Sequence, residues 1–185
     1  ILLFFKNKKS NLFDDVILKM TSILNEYFHL DGSLALFNGT NNVYTINIYK
    51  SLNKESYLRK REFSNINNGI AFYSDKNKKI FFDVVQPNSD MISSNLSAGT
   101  LSVELSGFGE KIVSNCGASE SFGKNPEYLR YSAAHSTIIL QNTNISEIKE
   151  DNPHIKFPQS VVFRKEANDQ EEIFEGSHNG YLKKF

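Results

Sequence analysis

The stretch SAGTLSVELSGFGEKIVSNCGASESFGKNPEYLRYSAAHSTIIL, residues 97–140, decides the fold. Within it, residues 100–106 alternate between apolar and polar side chains, which is the period of a half-buried strand. A Gly-Phe-Gly turn follows, and residues 111–114 begin a second strand. After an irregular polar loop, residues 135–140 predict a third strand. The pattern therefore predicts an antiparallel β domain.

Polar residues collect at the ends of these predicted strands. A hairpin and a return strand bring their ends together, so we expect the polar side chains to form one small site. The candidates are Asn95, Ser97, Asn115, Arg130 and His135. The single cysteine, Cys116, is predicted to be a small buried residue at a strand end.

Charge and composition bear on the kind of partner. The 21 basic and 21 acidic residues balance, so no long-range field attracts the chain to nucleic acid or anionic lipid. The apolar start, residues 1–5, is too short for a membrane span. We therefore expect neither nucleic acid nor a membrane as a partner. The 15 Phe and 8 Tyr favour a packed, sheet-rich core.

Outside the central stretch, the pattern predicts one helix and further strands. Residues 13–27 carry apolar side chains at helical spacing, whereas residues 42–52 fit a short helix or a loop. Residues 58–68 are polar and predict a solvated face. The other predicted strands are 33–37, 69–74, 79–85, 159–165, 171–177 and 180–185. About eight strands with short links predict an antiparallel β-sandwich.

Three central runs resemble the C-terminal β domain of the heparinase II/III-like family, in the form found in alphaproteobacteria. They are residues 101–106, 115–117 and 130–137. Residues 31–39 are similar to that group's junction between helical and β domains, and residues 80–84 and 178–181 also match.

The resemblance implies a two-part fold that continues beyond both ends of the chain. Residues 1–30 would be the last helix of an α/α toroid. Residues 31–185 would be a C-terminally truncated part of a large β super-sandwich. The protein would then be mainly β, with one amphipathic helix preceding the sandwich.

Members of this family are polysaccharide lyases, so the resemblance implies β-elimination on a uronic-acid-containing chain. A base removes the proton at C5 and an acid protonates the departing oxygen, while the carboxylate charge is neutralised. The implied catalytic residues are His135 and Tyr128, and the implied substrate contacts are Arg130, Asn95 and Tyr131. The implied partners are an anionic polysaccharide and the N-terminal toroid of the same protein, in the periplasm or cell envelope.

The family's β domain often holds zinc through two His and one Asp. By the resemblance, His135 matches one zinc His, Asn115 stands in place of the Asp, and Ser97 in place of the other His. Asn95 falls where a His of the cleft usually stands. Amide and hydroxyl groups are weak zinc ligands, so we expect a degenerate site with no tightly bound metal and no other cofactor. A hydrogen-bond network can replace the metal in tying the strands together.

Structural interpretations of the same residues stay open. His135 can be a satisfied hydrogen-bonding residue, and both tyrosines can simply pack. Arg130 can pair with Glu104, Glu120 or Glu127. Two function classes therefore remain: part of a lyase that is inactive without its helical half, or a non-catalytic carbohydrate-binding or structural β module.

Overall fold

The computed structural model describes residues 11–41, 63–67, 69–87, 96–119, 127–148, 156–182 and 185. These residues form one helix, seven strands and two short 3-10 helices. In chain order they are α1 (Asn11–Glu26), β1 (Phe63–Asn67), β2 (Ile70–Ser74), β3 (Lys78–Asp83), β4 (Val103–Gly107), β5 (Glu110–Val113), the 3-10 helices Glu127–Arg130 and Ser132–Ala134, β6 (Val161–Ala167) and β7 (Glu172–His178). The predicted mainly β architecture with one preceding helix is confirmed.

The strands form two antiparallel sheets. Strands β1 to β5 lie side by side in chain order, and β6 pairs with β7 in a separate hairpin. The predicted β2–β3 and β6–β7 hairpins are therefore confirmed. In the β4–β5 hairpin, Phe108 and Gly109 both have positive φ, 54° and 87°, as the two-residue turn with the right-handed twist requires.

The β6–β7 hairpin packs on one face of the larger sheet. The rings of Phe82 on β3 and Phe163 on β6 meet edge to face, with centroids 6.3 Å apart. A Cβ atom on Gly176 would lie 2.6 Å from Cζ of Phe82 and 2.7 Å from Cδ2 of Leu101. Only glycine allows the two layers to approach this closely, which makes the assembly the predicted sandwich.

The opposite face of the sheet is covered by residues 28–37, here called the junction segment because they follow α1. Its backbone folds back on itself, since Ala35 N donates to the Tyr27 carbonyl and His29 N to the Ser33 carbonyl. The apolar core between this segment and the sheet consists of Ala35, Phe37, Ile70, Phe72 and Phe81. The junction segment thus contributes to the core rather than linking two bodies loosely.

On β4, the polar side of the alternation is the more deeply buried side. Glu104 and Ser106 are fully buried and accept hydrogen bonds from the junction segment, and Ser102 just before the strand is also buried, whereas Val103 and Leu105 are half-buried. The alternation predicted the strand correctly. The burial of its polar side depends on hydrogen-bond partners that are distant in sequence, such as His29 and Leu36 for Glu104.

Several predicted strands differ from the structure. In residues 33–37 only Leu34 makes a bridge, to Phe28, because the backbone hydrogen bonds close a local turn instead. Residues 135–140 are not a strand: only Leu140 is bridged, to Thr143. The polar stretch 58–68 contains strand β1, and Tyr181 and Leu182 lie in a turn. The prediction for residues 42–52 lies outside the described residues.

Helix α1 matches the predicted amphipathic helix to within two residues at either end. Phe28 lies just beyond the end of the helix, and its carbonyl accepts a hydrogen bond from the buried ammonium of Lys79 on β3 at 2.8 Å. Burial lowers the pKa of Lys79 to about 8.

In the described part of the chain, no helix has the length and apolarity that crossing a bilayer demands. The assignment of residues 1–30 to a helical toroid stays a prediction.

Candidate functional site

Three chain segments meet where the sequence predicted a polar site. Ala98 N donates to the Arg130 carbonyl at 2.8 Å, and Cys116 N donates to the Ala134 carbonyl at 2.9 Å. The segments around residues 97, 115 and 135 are therefore neighbours in space. Asn95 lies outside the described residues.

His135 follows the second 3-10 helix and is held by both backbone and ring. Its N–H donates to the Ser132 carbonyl at 3.0 Å, and its ring lies against Gly99, where an added Cβ would be 3.0 Å from Cγ. The ring also hydrogen-bonds the Leu129 backbone. Among the described residues Nε2 has no partner, so the proton belongs on Nδ1.

Burial determines the protonation of this imidazole. His135 is only 8% exposed. Burial lowers its pKa below the usual 6.5, against the smaller opposing effects of the Leu129 bond and the Glu104 charge. The ring is therefore neutral at pH 7, and its unprotonated Nε2 is itself buried and without a partner among the described residues.

Asn115 uses both ends of its side-chain amide inside the protein. Oδ1 accepts from Ser136 N at 2.9 Å, and Nδ2 lies 3.5 Å from Ser102 Oγ. Its own N–H donates to Oε1 of Glu104 at 2.8 Å. Asn115 therefore links β4 to the loop that carries His135.

Glu104 is the residue that sequence reasoning missed. Its carboxylate is fully buried and accepts hydrogen bonds from Asn115 N, Leu36 N and His29 Nε2. From the sequence it was only an alternative partner for Arg130. A Glu in the middle of an alternating strand was the available signal, but the alternation itself suggested a solvent-facing side chain.

Arg130 and the two tyrosines lie on and beside the first 3-10 helix. Arg130 is 5% exposed, and its Nε–H donates to the Leu96 carbonyl at 2.9 Å. This burial favours a structural role over the substrate contact predicted from the sequence. Tyr128 is 65% exposed. Tyr131 hydrogen-bonds Glu127, which raises the pKa of the phenol.

The residues at the degenerate metal positions do not fit a tight zinc site. Asn115 Oδ1 is already bonded to Ser136 N, and Ser97 offers only a hydroxyl beside the single imidazole of His135. Nowhere in the described ranges do three or more His, Cys, Asp or Glu side chains gather as metal ligands would.

The prediction that Cys116 is buried is wrong: the residue is a free, exposed cysteine, although its backbone N–H is bonded to Ala134.

Comparison with known proteins identifies the family. A family profile described as Heparinase II/III-like, C-terminal, matches residues 59–185. Crystal structures of the heparan sulfate lyase HepC from Pedobacter heparinus and of a mutant are similar, at 16% and 14% identity, with TM-scores of 0.61 and 0.62. At this identity the likeness concerns the fold.

Each structural match covers 94% of this chain but only 30% of the solved chain, so the sequence spans about a third of the length of these structures. Curated protein sequences give no match. The profile covers more than two thirds of the chain, and the sandwich is the fold expected of that domain. The chain belongs to the heparinase II/III-like family and carries its C-terminal β domain.

Proposed function

We propose that the chain is the β-sandwich part of a polysaccharide lyase that cleaves uronic-acid-containing polysaccharide by β-elimination. The observation that carries the proposal is the state of His135. Its Nδ1 is bonded to the Leu129 backbone, Nε2 is without a partner in the described residues, and burial lowers the pKa. A neutral imidazole with one unpartnered nitrogen can transfer a proton near neutral pH, and because Nε2 is buried in this chain, the proposal requires that the His135 loop expose it in the full-length protein.

The proposed roles follow from exposure and bonding. His135 accepts or returns a proton through Nε2, and Tyr128, exposed on the adjacent 3-10 helix, provides a hydroxyl or a stacking surface for a sugar ring. Tyr131 is a second sugar contact beside it. Arg130 holds the loop through the Leu96 carbonyl. The proposed substrate is an anionic polysaccharide, consistent with the name of the heparan sulfate lyase that shares the fold.

The proposed reaction needs the helical part of the same protein. Proton transfer requires the acid and base within about 3 Å of the reacting atoms, and the family places most of these groups on its toroid. We therefore expect the 185-residue chain alone to be inactive. A location in the periplasm or cell envelope stays a prediction from the resemblance.

The test uses the full-length protein and a panel of uronate polymers. Elimination creates an unsaturated uronate, so product is followed by the ultraviolet absorbance of the new double bond. We expect His135→Ala to lower kcat by about 10²-fold or more. The matched control is Cys116→Ser, an exposed change in the neighbouring segment. Full activity of the folded His135→Ala protein would overturn the proposed role of His135.

A non-catalytic carbohydrate-binding or structural module is the second candidate. The metal positions that do not fit zinc and the deep burial of His135 favour it. The same panel separates the two, because a binding module retains the polymer without releasing unsaturated product. Affinity electrophoresis against each polymer measures that binding, and Tyr128→Ala should weaken it if the exposed ring contacts sugar.

A further inference from the structure

The Glu104 carboxylate lies where three parts of the chain meet. Oε2 is 2.7 Å from His29 Nε2 and accepts from Leu36 N at 3.1 Å, and both of these residues belong to the junction segment. Oε1 accepts from Asn115 N at 2.8 Å, and Ser114 Oγ lies 3.4 Å away. Each oxygen therefore accepts hydrogen bonds from a different segment: Oε2 from the junction segment and Oε1 from Asn115.

Donors and a cation surround this carboxylate. A buried carboxylate is tolerated only where donors or cations surround it. Lys111 Nζ lies 3.7 Å from Oε2 and also donates to the Leu34 carbonyl at 3.1 Å. His29 acts as a neutral donor, because burial lowers its pKa more than its bond to Glu104 raises it. Among described residues Nδ1 of His29 has no partner, as expected for the unprotonated nitrogen.

A continuous path of hydrogen bonds leads from this carboxylate to the candidate site. The backbone N–H of Asn115 donates a hydrogen bond to Oε1 of Glu104. The side-chain Oδ1 of Asn115 accepts a hydrogen bond from Ser136 N. Ser136 is the residue after His135. The path therefore runs from the junction segment through one carboxylate and one amide to the backbone beside the imidazole.

We propose that Glu104 is a positioning residue, whose buried carboxylate fixes the His135 loop relative to the junction segment and hence to the end of helix α1. The position of His135 relative to any group that precedes the sandwich would then depend on Glu104. The effect on catalysis rests on the proposed lyase function. The structural coupling does not, and it can be measured separately.

Glutamine cannot replace Glu104 at this position without leaving a donor unsatisfied. One of its ends would be an NH2 group facing N–H donors of the junction segment or of Asn115. Glu104→Gln therefore keeps the shape of the side chain but breaks one side of the connection. Ser106→Ala is the matched control, because Ser106 is equally buried on the same strand and accepts from Leu30 N in the junction segment.

Hydrogen exchange of the full-length protein, read by mass spectrometry, tests the coupling. In Glu104→Ala, which removes both acceptor oxygens, we expect exchange to be about tenfold faster in two separate segments, residues 28–37 and 130–137. In Glu104→Gln we expect faster exchange only in the segment that faces the new NH2 group. In Ser106→Ala we expect faster exchange in the first segment only. Unchanged protection of residues 130–137 in folded Glu104→Ala would overturn the proposal.

A further variant covers the case in which the Glu104 variants fail to fold. Asn115→Ala keeps the backbone N–H that serves Glu104 but removes the amide that holds Ser136. We expect faster exchange in residues 130–137, and a shifted His135 imidazole resonance, with residues 28–37 unchanged. Normal protection of residues 130–137 in this variant would contradict the path.

If the full-length protein is a lyase, Glu104→Gln should lower kcat by about 10²-fold with little change in KM, because a misplaced group affects the reaction more than binding. Ser106→Ala should leave kcat unchanged. If hydrogen exchange changes in Glu104→Gln but its kcat equals that of the wild type, the catalytic part of the proposal is refuted. Absence of activity in the wild type would refute only the proposed function.

Discussion

His29 Nε2 lies 2.7 Å from Glu104 Oε2, and neither side chain is exposed to solvent. The two residues are 75 positions apart, so this contact joins the junction segment to the middle of β4. Because burial lowers the pKa of His29, the contact is a hydrogen bond from a neutral imidazole to a carboxylate rather than a pair of full charges. This protonation state has a consequence for stability at acidic pH.

We expect His29 to stabilise the protein less as the pH falls. Its folded-state pKa lies below the unfolded value of 6.5, so its contribution is complete above pH 6.5 and is lost as the pH drops through the folded-state pKa. His29→Gln should therefore cost about 1–3 kcal/mol of unfolding free energy at pH 7.5 and less at pH 5. Urea unfolding of both proteins across this range measures the difference. A constant difference would contradict the prediction.

Asp83 should have the opposite pH dependence. It is buried, and burial raises its pKa from 3.8 to about 7, against the bond from Val85 N. A raised pKa means that its favourable contribution is complete below pH 3.8 and is lost as the pH rises through about 7. Asp83→Asn keeps an acceptor for Val85 N, so it should stabilise the protein at pH 8 by up to about 4 kcal/mol.

The measurement for Asp83 is again urea unfolding, at pH 4 and at pH 8. The stabilisation by Asp83→Asn should nearly disappear at pH 4, where the native carboxyl is already neutral. Asp169→Asn, an exposed change in the turn between β6 and β7, is the control and should alter stability little at either pH. Equal effects of Asp83→Asn at both pH values would show that the carboxyl is ionised throughout.

Local patterns predicted the hairpins, because both the alternation and the turn residues lie within one short stretch. The β2–β3 and β6–β7 pairs are examples. The same reasoning failed for residues 135–140, where β-branched residues suggested a strand. There the backbone turns after the 3-10 helix Ser132–Ala134, and Ile138 is 70% exposed, so no strand within the described ranges stabilises an extended run.

The centre of the candidate site could not be predicted in the same way. Sequence reasoning named Asn115 and His135, and the structure brings their segments together through Ser136. It did not identify Glu104, because the donors that allow its burial come from His29, Leu36 and Asn115. Only the folded chain brings these donors together, and no local pattern records them.

Gly99 should be required for the position of the His135 ring. A Cβ at residue 99 would lie 3.0 Å from Cγ of His135, so Gly99→Ala must displace the imidazole by a few tenths of an ångström. We expect a shifted His135 resonance and an unfolding free energy lower by about 1 kcal/mol. Gly109→Ala is the control, because no atom of the residues that the structure describes lies within 4 Å of its Cβ and only its positive φ is strained. Its His135 resonance should match the wild type.

Asn115 leads to a prediction about metal. Its Oδ1 already accepts from Ser136 N, so the amide stabilises the loop without an ion. We therefore expect the purified full-length protein to contain no stoichiometric zinc at this site, and EDTA to leave Tm unchanged. Asn115→Ala should lower the unfolding free energy by about 1–3 kcal/mol, because Ser136 N loses its acceptor.

Asn115→Asp distinguishes a hydrogen-bonding role from a lost metal ligand. The new carboxylate would keep an acceptor for Ser136 N, but it would lose the Nδ2 donor near Ser102 and add a second negative charge close to Glu104. The variant should therefore be less stable than wild type, and zinc should not restore its stability. Stoichiometric zinc in the wild type, or rescue of Asn115→Asp by zinc, would mean that the site still binds metal.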